Sequence, residues 1–309
     1  MTETVFITGA SGFVGKRVAE RLRANPKYRV VEVNGPRSER GVDLTDAKAC
    51  QHLINTYKPS KIIHLAASSS VGDGKNDPSA MWEPNVTATV NLVSAFKALG
   101  QKSHLIFASS AEVYGRQFLA GPCDENAPMR PASAYGRSKA ACELFLEDAA
   151  SEHLSVTVAR LFNHTGVGQD ARFVVPSFVR QVARSQNNDG EVHVGNLDAY
   201  RDFTDVDDVV RGYELLLDQP ELLRYEVYNL GSGKLQKVSS ILERIVEYSG
   251  YDVKIIEDPK RMRPSDIPAA VGVFDKIKDK CGWCAEIDFN STLRTMFDYE
   301  VELLTSSDH

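Results

Sequence analysis

The sequence predicts an α/β fold: a doubly wound parallel sheet followed by a smaller mixed α/β region. Three observations carry the prediction. Short apolar runs alternate with helical stretches through the first half of the chain. The first run, Thr4-Val-Phe-Ile-Thr8, passes directly into Gly9-Ala-Ser-Gly12-Phe-Val-Gly15 and then a helical stretch. A later run, Leu105-Ile-Phe-Ala108, ends on Ser109 and Ser110 and is followed by Tyr135-Gly-Arg-Ser-Lys139.

A chain of 309 residues can bury one large α/β core or a domain and a half. Its 42% hydrophobic and 25% charged content is that of a soluble globular protein. The net charge of −6 argues against non-specific nucleic-acid binding, although a local basic pocket stays open. No targeting segment is read at the start, and no apolar stretch has the length of a membrane span. Five scattered cysteines suggest a reducing compartment, so a cytoplasmic protein is expected. Cys281-Gly-Trp-Cys284 has the spacing of a redox pair but lacks the strand–helix context that activates a thiol. Two cysteines are too few for a zinc site, and no metal is expected.

In chain order, residues 4–8 form the first strand. The glycines after it permit a tight turn, close approach to a pyrophosphate and packing of helix on strand, with the phosphate at the helix N-terminus. In this context the loop reads as dinucleotide-binding and the fold as Rossmann-like. The second strand, 29–33, ends at Asn34, where a site for NAD usually places an acid. Asn34 is neutral and Arg37 and Arg40 follow, which favours the 2′-phosphate of NADP(H). Glu32 is expected to point to the other face of the strand. Asp43 is a candidate for the adenine amino group or a helix cap.

Ile62-Ile-His-Leu-Ala-Ala67 reads as a buried strand whose small end lets a cofactor pass. Residues 68–80 read as a loop over the site, 85–99 as a long helix and 105–108 as the next strand. Tyr135 and Lys139 then share one helix face. The ammonium is expected to lower the phenol pKa, with Ser110 bonding the atom that gains or loses the proton. A strand at 156–160, a loop to 165, a helix opening at 172–176 and a strand at 192–194 follow. The helix 206–217 and the strand 225–230 complete this stretch. The division expected is a dinucleotide-binding core over 1–165 and a mainly substrate-binding region over 166–309, with segments near 190–230 returning to the core sheet.

Together these segments resemble the extended short-chain dehydrogenase/reductase family that modifies nucleotide sugars. The likeness runs from Gly9 through Arg201-Asp-Phe-Thr-Asp-Val206 to Arg263-Pro-Ser-Asp266. It is closest to the GDP-mannose branch, through Phe162-Asn-His-Thr-Gly166, Arg172-Phe-Val-Val-Pro176, Val194-Gly-Asn-Leu-Asp-Ala-Tyr-Arg-Asp-Phe203 and Arg261-Met-Arg-Pro-Ser-Asp266. The resemblance implies catalytic roles for Ser110, Tyr135 and Lys139. It implies cofactor contacts at Gly9, Gly12, Gly15, Asp43, Ala66 and Asn85. Ser11, Phe13, Val14, Leu44, Leu65 and Ala67 adjoin them, and Tyr135 and Lys139 also face the cofactor. Asn163, Arg172, Arg201, Arg263 and Asp266 are the candidates for the GDP-sugar. Arginine suits a diphosphate because its planar fork donates two hydrogen bonds. The resemblance also implies a homodimer paired through helices 85–99 and 135–150.

The branch contains 4,6-dehydratases and 4-keto reductases. The chain's length and motifs are more similar to the reductases, which implies NADP(H)-dependent reduction of the 4-keto group of GDP-4-dehydro-6-deoxy-D-mannose. Dehydratases carry Thr at the Ser110 position and an essential Glu at the Glu112 position. Here the Thr is absent and the Glu present, so a dehydratase or a 4-epimerase stays open. A non-enzymatic dinucleotide sensor is a further alternative, against which the intact Ser110–Tyr135–Lys139 set argues.

Overall fold

The structure, a computed structural model, describes residues 2–36, 38, 41–68, 77–185, 190–220, 222–262 and 267–307. The first half runs β1 (Glu3–Thr8), α1 (Phe13–Arg23), β2 (Tyr28–Val33), α2 (Ala47–Tyr57), β3 (Lys61–His64), α3 (Ser79–Trp82), α4 (Ala88–Lys97), β4 (Ser103–Ser110), α5 (Ala134–Ala149) and β5 (Leu154–Leu161). The second runs β6 (Asn163–Thr165), α6 (Val174–Arg184), β7 (Glu191–Val194), β8 (Tyr200–Asp205), α7 (Val206–Leu217), β9 (Tyr225–Leu230), β10 (Leu235–Lys237) and α8 (Val238–Ser249). β11 (Lys254–Glu257), β12 (Ala269–Ala270), α9 (Asp275–Cys281) and α10 (Phe289–Ser307) complete it.

Six strands in the order β2-β1-β3-β4-β5-β9 form one sheet, parallel at every pairing. Its strands are apolar on both faces because both are covered. Val18 and Leu22 of α1 and Val209, Tyr213 and Leu216 of α7 pack on one face with Val5 and Ile7. Ile54 of α2, Leu92 and Phe96 of α4 and Leu146 of α5 pack on the other with Phe6, Ile62 and Leu105. Because β1 lies between β2 and β3, the chain winds outward on one side and then crosses to the other. The crevice for a ligand opens at that switch point, over the C-terminal ends of β1 and β3.

A further core joins α6, α8 and α10 to β7 and β8, through Phe178, Val182, Val192, Phe203, Ile241 and Leu293. β8 is the hinge of this region. It pairs with β10 and β12 through Tyr200–Asp202 and with β6 through Phe203–Asp205. Of the segment near 190–230, β9 enters the six-stranded sheet and α7 packs on its face, whereas β7 pairs with β11 and β8 stays in the smaller sheet.

Two local readings change. The helix expected over 85–99 begins at Ser79 and passes through a π-helical turn at Glu83–Thr87 before α4. Pro84 has no N–H to give, and the wider turn swings Asn85 into the interior, where it is 2% exposed. The loop expected up to 165 contains β6, because Asn163–Thr165 finds an open edge on β8.

Candidate active site

The glycine loop is shaped by close contacts. Gly9 has φ +68, and a Cβ there would stand 2.8 Å from the Ala66 nitrogen. At Gly15 a Cβ would lie 2.2 Å from the Gly9 oxygen, so α1 sits on the turn only with glycine present. Gly12 caps α1 with no side-chain bond, leaving the first-turn N–H groups, among them those of Phe13 and Val14, available for an anion. At the end of β2, Asn34 Oδ1 is buried without a hydrogen-bond partner among the described residues. A cradle only glycine fits and an orphaned acceptor on its rim are what a dinucleotide requires. The residues fit the group, with Gly9, Ser11, Gly12 and Gly15 under its phosphates and Asn34 beside its adenosine half. Arg37 and Arg40 lie outside the described residues, as do Arg263 and Asp266.

Asp43 does not reach outward with Oδ1, which accepts Thr45 N (2.9 Å) and Thr45 Oγ1 (2.7 Å). The Thr45 hydroxyl holds its carboxyl below the usual range. The cap of α2 is Asp46. Leu44 is buried beside it, and its carbonyl accepts the Cys50 thiol and the Asn91 amide.

Below the crevice a chain of buried polar groups forms its floor. The Ala66 N–H donates to Thr8 Oγ1 (3.2 Å), which lies 2.6 Å from His64 Nδ1. His64 Nε2 meets Thr89 Oγ1 (3.1 Å), whose hydroxyl donates to the Asn85 carbonyl (2.6 Å). Burial, and then the Lys139 charge, pull the His64 imidazole down to about 3, so it is neutral. Asn85 Oδ1 accepts Ser68 N (2.8 Å) and Nδ2 donates to Ser138 Oγ (2.9 Å), tying the strand end after Leu65, Ala66 and Ala67 to α5.

The structure brings Ser110, Tyr135 and Lys139 together. Ser110 ends β4, and its Oγ accepts the Glu112 N–H (3.2 Å) and shares a hydrogen bond with the Tyr135 phenol. Lys139 Nζ donates to the Ala108 carbonyl (2.7 Å) and lies 5.9 Å from the Tyr135 ring centre. Gly136 lets α5 approach, since a Cβ there would be 2.5 Å from the Glu112 oxygen. Burial pulls the Lys139 ammonium down to about 8, against the raising fields of Cys142 and Glu143. The expected lowering of the phenol is reversed. Burial, then the Glu112 carboxylate, raise Tyr135 above its ordinary value, and the Ser110 bond only partly opposes them. The phenol is therefore held protonated, as a proton donor to a carbonyl must be.

Glu112 accepts the Ser133 hydroxyl (3.0 Å), and its charge acts on both Tyr135 and Arg201. Arg201 is half-buried on β8, with Nη1 donating to the Tyr200 carbonyl (2.8 Å). Asn163 is exposed at the start of β6, in register with Phe203 two residues further along β8. Arg172 sits in the exposed turn before α6, with its guanidinium 3.5 Å from Asp170 and near the Phe173 ring.

The GDP-mannose 4,6 dehydratase family model matches residues 39–296 of this framework. The chain belongs to that family. Among members and relatives it is 34% identical to GDP-6-deoxy-D-mannose reductase of Pseudomonas aeruginosa, over 97% of this chain and 98% of that protein. It is 30% identical to GDP-6-deoxy-D-talose 4-dehydrogenase of Aggregatibacter actinomycetemcomitans, over 90% and 91%. The solved structure of RMD from Pseudomonas aeruginosa complexed with NADPH superposes with a TM-score of 0.86 at 32% identity, covering 98% and 99% of the two chains. The UDP-glucose 4-epimerase of Thermotoga maritima with UDP-glucose gives 0.88 at 28%, over 97% and 99%. The GDP-mannose 4,6 dehydratase family thus shares its framework with NAD(P)-dependent nucleotide-sugar enzymes of several reaction types.

Reading the sequence missed the ion pair behind this family member's site. Arg160 at the end of β5 donates to both Glu143 oxygens (Nη2–Oε2 2.6 Å, Nε–Oε1 3.1 Å), and both side chains are buried. Two charges set among apolar neighbours, Glu143 on α5 and Arg160 in Val156-Thr-Val-Ala-Arg160, were the signal that each has a partner.

Proposed function

We propose that the protein reduces the 4-keto group of a GDP-4-keto-6-deoxyhexose, GDP-4-dehydro-6-deoxy-D-mannose, to a GDP-6-deoxyhexose such as GDP-D-rhamnose. The observation that carries the reading is the meeting of Ser110, at the end of β4, with Tyr135 and Lys139 of α5, where Lys139 Nζ bonds the Ala108 carbonyl and stands 5.9 Å from the Tyr135 ring centre. NADPH, when bound, supplies the hydride for C4. Ser110 donates a hydrogen bond to the keto oxygen, and Tyr135 gives that oxygen its proton as negative charge develops there. The Lys139 ammonium stabilises the phenolate left behind until solvent returns a proton to the Tyr135 oxygen. Asn163, Arg172 and Arg201 lie on the β6–β8 side, where the GDP moiety would be held.

Relatedness to a reductase whose structure carries NADPH, and the neutral Asn34, support NADPH over NADH. A 4,6-dehydratase is the second reading, favoured by Glu112 beside Tyr135. The hydroxyl of Ser133 already occupies Glu112 Oε2, which weighs toward the reductase. A homodimer paired through helices 85–99 and 135–150 is part of the reading, supported by Leu144, exposed at 56% on the second of these, and by Trp82, exposed at 41% on the short helix that leads into the first. No described helix is long and apolar enough to cross a membrane, and the cytoplasm is the compartment we assign.

The test mixes the protein with GDP-4-keto-6-deoxymannose and NADPH. Stoichiometric NADPH loss with a 6-deoxyhexose product by NMR supports a reductase. Conversion of GDP-mannose with no net cofactor change points to a dehydratase, and binding without turnover to a sensor.

A further inference from the structure

Glu143 lies one helical turn beyond Lys139 on α5. One of its oxygens accepts the Ser109 hydroxyl, and both accept Arg160. Ser109 precedes Ser110 on β4 and follows Ala108, whose carbonyl accepts Lys139 Nζ (2.7 Å). Three consecutive residues of β4 are therefore fixed against α5, each through a side chain of that helix: Ala108 through Lys139, Ser109 through Glu143 and Ser110 through Tyr135. Arg160 continues the network: Nη1 donates to Tyr114 Oη (3.0 Å), whose hydroxyl donates to Asn229 Oδ1 (2.7 Å) on β9. Ser109, Tyr114, Lys139, Glu143, Arg160 and Asn229 are all buried, where hydrogen bonds that link one side chain to the next strengthen each other.

We propose that Glu143, locked by Arg160 and Ser109, is a positioning residue that sets the register of Ser110 against Lys139 and keeps the Lys139 ammonium charged. The inference rests on the assignment of Ser110, Tyr135 and Lys139 as the reacting groups. A side chain that served packing alone would not have to be ionised here, since burying an ion pair gives little net stability over apolar residues of similar size. The placement of this pair, one turn from a buried ammonium, gives the charge a use.

Four titratable groups surround that ammonium. Tyr135, Cys142 and Glu143 stand on its own helix, and neutral His64 faces it from β3. Arg160 lies behind Glu143 on β5, and Glu112 beyond Tyr135. Glu143 is the ion-paired carboxylate among those next to Lys139, so deleting its charge is expected to let the ammonium lose its proton at lower pH.

The experiment compares wild type, Glu143→Gln, Glu143→Met/Arg160→Met, Ser109→Ala and Ser109→Thr, with NADPH and the keto-sugar. In Glu143→Gln the alkaline limb of kcat/KM should move down by about one pH unit, the size of a lost charge one turn away at intermediate dielectric. The double variant leaves no lone buried charge and, because the opposing Arg160 charge is lost too, should show a smaller displacement in the same direction. Ser109→Ala keeps the ion pair but cuts the tie to β4, so kcat should fall about tenfold at unchanged NADPH Kd. Ser109→Thr restores a hydroxyl and should recover kcat. A wild-type limb in whichever Glu143 variant folds, or full kcat in Ser109→Ala, makes the network structural only and overturns the proposal. If the wild type itself consumes no NADPH, the assigned reaction has failed instead. In that case Lys139 charge, followed by NMR titration in the same variants, still decides the positioning role.

Discussion

The Ser133 hydroxyl donates to Glu112 Oε2 at 3.0 Å while its oxygen accepts the Gly136 N–H, also at 3.0 Å. Ser133 is the N-cap of α5, so the carboxylate that faces the Tyr135 phenol also steadies the first turn of the helix that carries it.

This relationship sets the expectation for Glu112→Gln. An amide can still accept the Ser133 hydroxyl, so reduction of the keto-sugar should survive within about tenfold, the effect of one weakened hydrogen bond. A dehydratase, which needs the carboxylate to take the C5 proton, should be nearly inactive in the same variant. Steady-state rates on the keto-sugar and on GDP-mannose separate the two.

Tyr135→Phe removes the proton donor and leaves the cradle intact. Turnover should fall by roughly two to four orders of magnitude, the contribution of a positioned general acid, with NADPH binding nearly unchanged. Fluorescence titration of NADPH beside the rate measurement checks both halves. Near-normal turnover would take Tyr135 out of its assigned role.

The alkaline limb of kcat/KM reports groups of the free enzyme. Lys139 is pulled down to about 8 by burial, so its charge is present below that pH and lost above it. The rate should be level up to about pH 8 and then decline with a slope approaching −1. Lys139→Arg, which stays charged, should be slower yet lack that limb. A wild-type profile flat to pH 10 contradicts the assignment.

Asn34→Asp places a negative charge where Asn34 Oδ1 now lies buried, with no hydrogen-bond partner among the described residues. A carboxylate there repels a 2′-phosphate and can accept a ribose hydroxyl. NADPH KM should rise about tenfold or more while NADH improves or holds, an effect worth roughly 1.4 kcal/mol. Both cofactors measured at one salt concentration decide it. A wild type that prefers NADH, with no change in the ratio on substitution, reassigns the cofactor.

Acid stability offers a test of the core. Burial pulls His64 and His104 down to about 3, whereas in the unfolded chain they titrate near 6.5. As pH falls below 6.5 the unfolded chain takes up protons the folded one refuses. Each histidine then removes about 1.4 kcal/mol of stability per pH unit until its folded pKa is reached. His104 bonds Thr157 (2.9 Å) at the far end of β4 from the site. His104→Gln should lessen the pH dependence of urea unfolding between pH 6 and 4 by about one proton. An unchanged slope would falsify the assignment of His104 as a neutral buried group.

The order of the elements was legible in the sequence because it is local: alternating apolar runs, glycines at fixed offsets and a Tyr–Lys pair one helical turn apart. Those same signals located Gly9, Gly15, Ser110, Tyr135 and Lys139, each held by its own strand end or helix face. Asp43 shows the limit of a positional reading, since the deciding bond runs to Thr45, two residues on, and turns the carboxylate into a turn former.

What the sequence by itself determined was which residues could do chemistry; tertiary structure decided the state in which they would do it. The sign of the Tyr135 shift is the clearest case. From spacing alone, Lys139 should lower the phenol, but burial and the Glu112 carboxylate raise it. The π-helical turn that carries Asn85 inward, and the joining of Glu143 on α5 to Arg160 on β5, are likewise products of packing. Electric fields and desolvation depend on distances between elements far apart in the chain, and only the folded molecule fixes those distances.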